Sequence, residues 1–224
     1  FEADLDSGVY KIKLSDDPSK ISKAETIETR FVLNVFTSSS EESPIPIYDY
    51  SDLLKMQRGG YYILLNDLVM PSVADSNGDY EAFSPLTGNF ASFDGNGHTI
   101  NFAGTYDVGD SSEIGLFKTI SENSIVKNLI VNYTASPSGD DLEIDQNETY
   151  GLAGLRVVKF VTTAEGFTFG GIVADNSGTI TNCKVQTDYK NNSNYYITVK
   201  ADNSLTSASY IAGIAGTNSG AITN

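Results

Sequence analysis

Apolar residues in this chain fall in short alternating runs, and turn-forming residues break each run before a helix could form. Val9-Tyr10-Lys11-Ile12-Lys13-Leu14 and Arg30-Phe31-Val32-Leu33-Asn34-Val35-Phe36 alternate with period two, the signature of half-buried strands. Gly8 opens the first run and Ser15-Asp16-Asp17-Pro18 closes it as a turn. From position 61 onward the runs are rich in β-branched and aromatic residues, beginning with Tyr61-Tyr62-Ile63-Leu64-Leu65. Further strands are predicted at 90–93, 98–102, 114–117, 125–133, 157–163, 167–173, 180–185, 195–199 and 210–215. One helix is predicted, Ser51-Asp52-Leu53-Leu54-Lys55-Met56-Gln57, capped by Ser51 and ended by Gly59-Gly60.

The strands are not independent. Gly171-Ile172 and Asn176-Ser177-Gly178-Thr179-Ile180-Thr181-Asn182 return 42 positions later as Gly213-Ile214 and Asn218-Ser219-Gly220-Ala221-Ile222-Thr223-Asn224. A looser copy lies upstream at Gly115-Leu116-Phe117 and Asn123-Ser124-Ile125-Val126-Lys127-Asn128-Leu129. Self-similarity at this spacing marks a stacked repeat fold, in which one unit cannot bury its own apolar face. Gly171, Asn182, Gly213 and Asn224 are the structural repeat positions. Asn128, Asn182 and Asn224 occupy one of them, where stacked amides would bond to each other at a bend.

The string Gly-Gly-Ile-Val followed by Asn-Ser-Gly-Thr-Ile-Thr-Asn-Cys, at 170–183, closely resembles the GLUG repeat of bacterial surface proteins. Upstream, Tyr61-Tyr62-Ile63-Leu64-Leu65-Asn66-Asp67-Leu68, Phe93-Asp94-Gly95-Asn96-Gly97-His98-Thr99-Ile100, Gly115-Leu116-Phe117 and Lys127-Asn128-Leu129 resemble the lead-in of such proteins. The same arrangement is similar to the non-catalytic N-terminal region of IgA-protease-type surface proteins. The resemblance spans roughly residues 45 to 224. It implies an all-β, right-handed parallel β-helix outside a bacterial or archaeal cell, with the short N-terminal helix capping its first coil, and no active-site motif travels with it.

The domain reading follows. Residues 1–37 form a strand segment like the last strands of an Ig-like β-sandwich, since they are too few for a whole one. Residues 38–46 are a polar, proline-containing linker, and residues 47–224 form the GLUG-like solenoid. The chain opens without Met and stops inside a repeat copy. The sequence therefore reads as an excised piece, C-terminally incomplete, whose open β-helix end is a sticky edge for self-association.

Composition narrows the partners. A net charge of −15, from 29 acids against 14 bases, excludes nucleic acid and anionic membrane surfaces, which need clustered Lys and Arg. No apolar run reaches the length of a membrane span, so direct membrane insertion is not expected of this segment. The single cysteine, Cys183, rules out a disulfide within the chain and reads as a small apolar filler beside Ile180 and Val185.

Candidate chemistry is sparse. Asp75, Asn77, Asp79 and Glu81 place oxygens at alternate positions, which suits calcium, although Gly78 is displaced from its slot in a calcium loop. Asp140, Asp141, Glu143 and Asp145 form a second acidic stretch that reads as a solvated loop. His98 is the only histidine, so neither a zinc cluster nor a second-histidine pair can be built, and Asp94 beside it reads as part of a turn. Tyr195 and Tyr196, amid asparagines, are candidates to stack on sugars. No obligatory cofactor is expected, with calcium the one candidate. The sequence thus points to an extracellular, cell-surface adhesin or surface-layer module that projects, self-assembles into filaments, or binds glycans or cell-surface proteins. Two alternatives stand beside it: a non-catalytic arm of a large secreted surface peptidase, and a carbohydrate-binding or carbohydrate-cleaving β-helix.

Overall fold

A computed structural model describes residues 8–12, 29–33, 39–71, 83–133, 156–187, 195–201 and 205–224. The chain divides into two compact units, Phe1–Ser39 and Ser40–Asn224. The described residues are all-β, with almost no helix and with parallel sheets outside the first unit. In the first unit β1 (Gly8–Ile12) and β2 (Thr29–Leu33) pair antiparallel, Gly8 opposite Leu33 and Ile12 opposite Thr29. These strands overlap the two period-two runs of the sequence at 9–12 and 30–33.

The second unit opens with β3 (Ile45–Ile47), a helical turn α1 (Tyr50–Leu53), β4 (Tyr61–Leu64) and β5 (Leu68–Val69). Next come β6 (Leu86–Gly88), β7 (Ser92–Asp94), β8 (Thr99–Phe102) and β9 (Thr105–Asp107). They are followed by β10 (Glu113–Ile114), β11 (Phe117–Ile120), β12 (Ile125–Lys127), β13 (Ile130–Tyr133) and β14 (Arg156–Thr162). The same order repeats in β15 (Thr168–Gly170), β16 (Val173–Asn176), β17 (Thr179–Thr181), β18 (Lys184–Thr187) and β19 (Tyr195–Ala201). It begins again in β20 (Tyr210–Ala212), β21 (Ala215–Asn218) and β22 (Ala221–Thr223).

From β6 onward each strand pairs in parallel with the strand five places later, which sorts this unit into five sheets. Five strands therefore make one winding, an arrangement compatible with a solenoid. The 42-residue sequence repeat is one such winding, because Val173 is registered on Ala215 and Ile180 on Ile222. The chain length between registered residues varies, yet Ser92, Ile125, Thr179 and Ala221 follow one another up the same sheet; the pair β6–β11 carries a register shift between Phe117 and Thr119. The longest interval between consecutive strands lies between β13 and β14.

One expectation from the sequence needs correction. The predicted capping helix over 51–57 is a single turn of four residues, and no capping helix is evident. Its N-cap is Asp49, which accepts hydrogen bonds from Asp52 N–H (3.1 Å) and Ser51 Oγ (2.7 Å), so Ser51 supports the cap instead of providing it. Leu53 is buried and Leu54 is exposed. Four residues cannot carry an apolar stripe, so the leucine pair splits between core and solvent. Within the range 38–46, Ile45 and Pro46 pair with Tyr62 and Ile63. Pro46 is tolerated there because β3 is the edge of its six-stranded sheet.

The interior is a set of columns built from like residues. Tyr62, Phe93, Val126, Ile180 and Ile222 form one column up the six-stranded sheet. Phe102 and Tyr133 are registered partners on β8 and β13, and their rings stack 5.1 Å apart at 12°. Tyr106 and Phe160, registered on β9 and β14, stack at 5.3 Å and 23°. Phe90, Phe93 and Phe117 meet edge-on or tilted within 6 Å. Parallel strands in register repeat at about 4.8 Å, so an aromatic ring finds its like at stacking distance in the next winding. Two tyrosine hydroxyls are sealed inside this core and are satisfied by backbone. Tyr133 donates to Gly171 O at 2.8 Å, and Tyr106 reaches Met70 O at 3.2 Å.

Candidate functional site

At the corner that follows the six-stranded sheet, Asn96, Asn128 and Asn182 hold left-handed backbone angles, φ 52°, 53° and 50°. Asparagine tolerates this region better than other residues that carry a side chain. The amides then form a directed chain. Asn182 Nδ2 donates to Asn128 Oδ1 at 2.7 Å, and Asn128 Nδ2 donates to Asp94 Oδ1 at 2.9 Å. Asp94 also accepts from Asn96 N–H at 2.8 Å and lies 3.6 Å from Lys127 Nζ. Asn224 is the next position in the column, following Thr223, whose carbonyl accepts from Asn182 N–H at 3.1 Å. A second amide pair joins Asn176 to Asn218 at 2.7 Å, and a third joins Asn132 to Asn101 at 3.0 Å. The Asn-Ser-Gly motif reads from the sequence as a turn, so neither of these two amide pairs is expected from it.

Gly171 and Gly213 occupy the same slot in successive windings. A methyl group on Gly171 would run into Gly213 O and the Val185 side chain, so glycine is required by the close approach of the next winding. A methyl group on Gly213 would meet nothing within 4 Å. The four repeat positions named from the sequence are thus brought together at two places, the glycine slot and the asparagine corner.

A cavity of about 670 Å³ runs along successive windings, with Asn128, Ile130, Ile180, Cys183, Ile214 and Ile222 in its lining. Cys183 is half-buried, with its thiol 3.2 Å from Thr181 O, and burial pushes that thiol above its ordinary value. A thiol held protonated is a weak nucleophile, which agrees with a packing role. Of eight exposed large hydrophobic residues among those described, Leu205, Tyr210, Ile211 and Ile222 lie in the last twenty residues.

The charged candidates disperse. His98 pairs with Asp67 (Nδ1 to Oδ1, 3.1 Å), while the neighbouring Asp94 is committed to the asparagine corner. A second hollow, of about 490 Å³, holds Asp110, Glu113 and Glu165. Glu113 is bridged by Lys118 at 3.5 Å, and Glu165 accepts from Thr206 Oγ1 at 2.7 Å. Among the described residues no three His, Cys, Asp or Glu side chains converge to hold a metal ion. Asp75, Asn77, Asp79 and Glu81 lie outside the described residues, as do Asp140, Asp141, Glu143 and Asp145. Tyr195 and Tyr196 open β19 in register with Arg156 and Val157, and their side chains lie outside what the structure describes. Among the described residues no helix is long and apolar enough to cross a membrane.

Compared with known proteins, the chain matches no family model, no curated protein and no solved structure.

Proposed function

We propose that this chain is a structural and adhesive module of a cell-surface protein, built as a right-handed parallel β-helix behind the last strands of an Ig-like sandwich. It performs no catalysis of its own. The observation that carries this reading is the identity of the 42-residue sequence repeat with one winding of five strands. Such a fold lengthens by adding windings and presents flat sides, which suits projection and assembly more than enclosure of a substrate. The GLUG-like motif supports display outside the cell, and the acidic balance supports solubility there. Protease shaving of intact cells that make the protein tests the reading. Release of peptides from this chain supports surface display, and their retention behind an intact envelope sinks it. A glycan array probed with the wild type and with Tyr195→Ala and Tyr196→Ala variants tests the adhesive part; binding that ignores both substitutions removes the two tyrosines from it.

A further inference from the structure

An asparagine followed by a small residue is a chemically labile step. The backbone nitrogen of the next residue attacks the side-chain Cγ, the Cγ–Nδ2 bond breaks, and the displaced proton leaves with that nitrogen as ammonia. Water then opens the succinimide ring to aspartate or isoaspartate. Glycine, with no side chain, hinders the attack least, and serine is also small. The chain has two Asn-Gly steps, and the one among the described residues is Asn96-Gly97, exposed to water at the corner after β7. Asn176-Ser177 is a second labile step, at the end of β16.

At both corners the two groups that must meet are tied to opposite neighbours. Gly97 N–H donates to Asn128 O at 2.8 Å, in the winding that follows β7. Asn96 Nδ2 donates to Leu64 O at 3.3 Å, in the winding that precedes it. At the second corner the directions are reversed. Ser177 N–H donates to Ile120 O at 2.9 Å, one winding back, and Asn176 Nδ2 donates to Asn218 Oδ1 at 2.7 Å, one winding on. Asn176 Oδ1 also accepts from Gly178 N–H at 3.2 Å, which fixes the plane of its amide. An N–H committed to a carbonyl keeps the proton that the attack requires it to lose. Burial cannot protect Asn96-Gly97, because both residues are exposed; the ties between windings do.

The product does not fit back into the stack. Aspartate at 96 would exchange Nδ2 for oxygen and set two acceptors against each other at Leu64 O. It would also add a carboxylate beside Asp94, whose Oδ1 accepts from Asn96 N–H. Isoaspartate would lengthen the main chain at a corner held at φ 52°. At Asn176, which is 0% exposed, the product would bury a charge.

We propose that Asn96-Gly97 and Asn176-Ser177 are latent deamidation sites gated by stacking. They react only when a neighbouring winding parts, and the product then keeps that winding from seating again. The turns thus act as a one-way latch that records separation of the windings.

Peptide mass spectrometry of the protein held in warm, mildly alkaline buffer tests the gating, against synthetic peptides of residues 92–100 and 173–181. Deamidation at Asn96 and Asn176 is expected to be at least about tenfold slower in the folded protein than in the peptides, and to reach the peptide rate once urea unfolds the chain. A folded protein that reacts at the peptide rate at either site overturns the gating, as does slow reaction that persists in urea. Val126→Ala hollows the strand beside β7, where Val126 is registered on Phe93, and touches neither dipeptide. It is expected to quicken reaction at Asn96 while far-ultraviolet circular dichroism keeps its β character. An unchanged rate in that variant means that the turn protects itself, and overturns the role of the neighbouring winding. Thermal unfolding reads the latch. Asn96→Asp is expected to lower Tm by at least about 2 °C, and Asn123→Asp, at an exposed turn position, to leave it unchanged. An unchanged Tm in Asn96→Asp, or equal losses in the two variants, overturns the one-way step.

Discussion

Asn182 donates its side-chain amide to Asn128, one winding back and 54 residues earlier, while both residues hold φ near +50°. One residue type thus meets two demands, a left-handed corner and a polar tie between windings. The demands separate by substitution. Asn182→Gly keeps the corner and loses the tie, so a loss of about 1 kcal/mol or less is expected. Asn182→Ala loses the tie and strains the corner, and a loss of about 2 kcal/mol is expected. Urea melts of the two variants check the order; alanine as benign as glycine would show that the corner angle carries no cost.

Gly171 and Gly213 share a repeat position but not an environment. Gly171→Ala drives a methyl into Gly213 O and is expected to cost about 1–3 kcal/mol. Gly213→Ala meets open space and is expected to be neutral or slightly stabilising, through the unfolded chain. Thermal unfolding of the pair measures this asymmetry directly. Equal losses at both positions would mean that Gly213 is covered in solution.

Tyr133 reports on the sealed core. Burial, with a smaller contribution from the neighbouring Tyr106, raises its phenol well above the ordinary value of 10.0. The folded state therefore keeps its proton where the unfolded chain gives it up. The stability contributed by this difference is fully present below pH 10 and is lost as pH climbs above it. Denaturant melts across alkaline pH should show this decline in the wild type and a shallower one in Tyr133→Phe. Tyr133→Phe also leaves Gly171 O without its donor and should lose about 1–3 kcal/mol at neutral pH.

Cys183 should react slowly with a thiol-specific disulfide reagent in the folded protein and quickly in denaturant, because burial holds the thiol protonated. Fast labelling of the native state at neutral pH would contradict a packing role.

The sequence disclosed the parts of the fold that repeat. Glycines before apolar pairs, the Asn-Ser-Gly turns and the asparagine after each Ile-Thr all reappear at registered positions, because stacking imposes the same constraint on every winding. What does not repeat was less legible. The helix over 51–57 reads as capped by Ser51, whereas Asp49, which suits the role equally, is the N-cap. Pro46 lies within a strand, which a proline tolerates because β3 is the edge of its sheet. Chemistry stayed the least legible, because the calcium and sugar candidates fall where side chains are not described.

The account depends on consecutive copies of the repeat lying side by side. A methyl NOESY spectrum of protein labelled at isoleucine δ1 tests this most directly. Cross-peaks are expected between Ile180 and Ile222 and between Ile172 and Ile214, side chains one strand spacing of about 4.8 Å apart. Their absence in a folded sample, with the same methyls assigned, would contradict it.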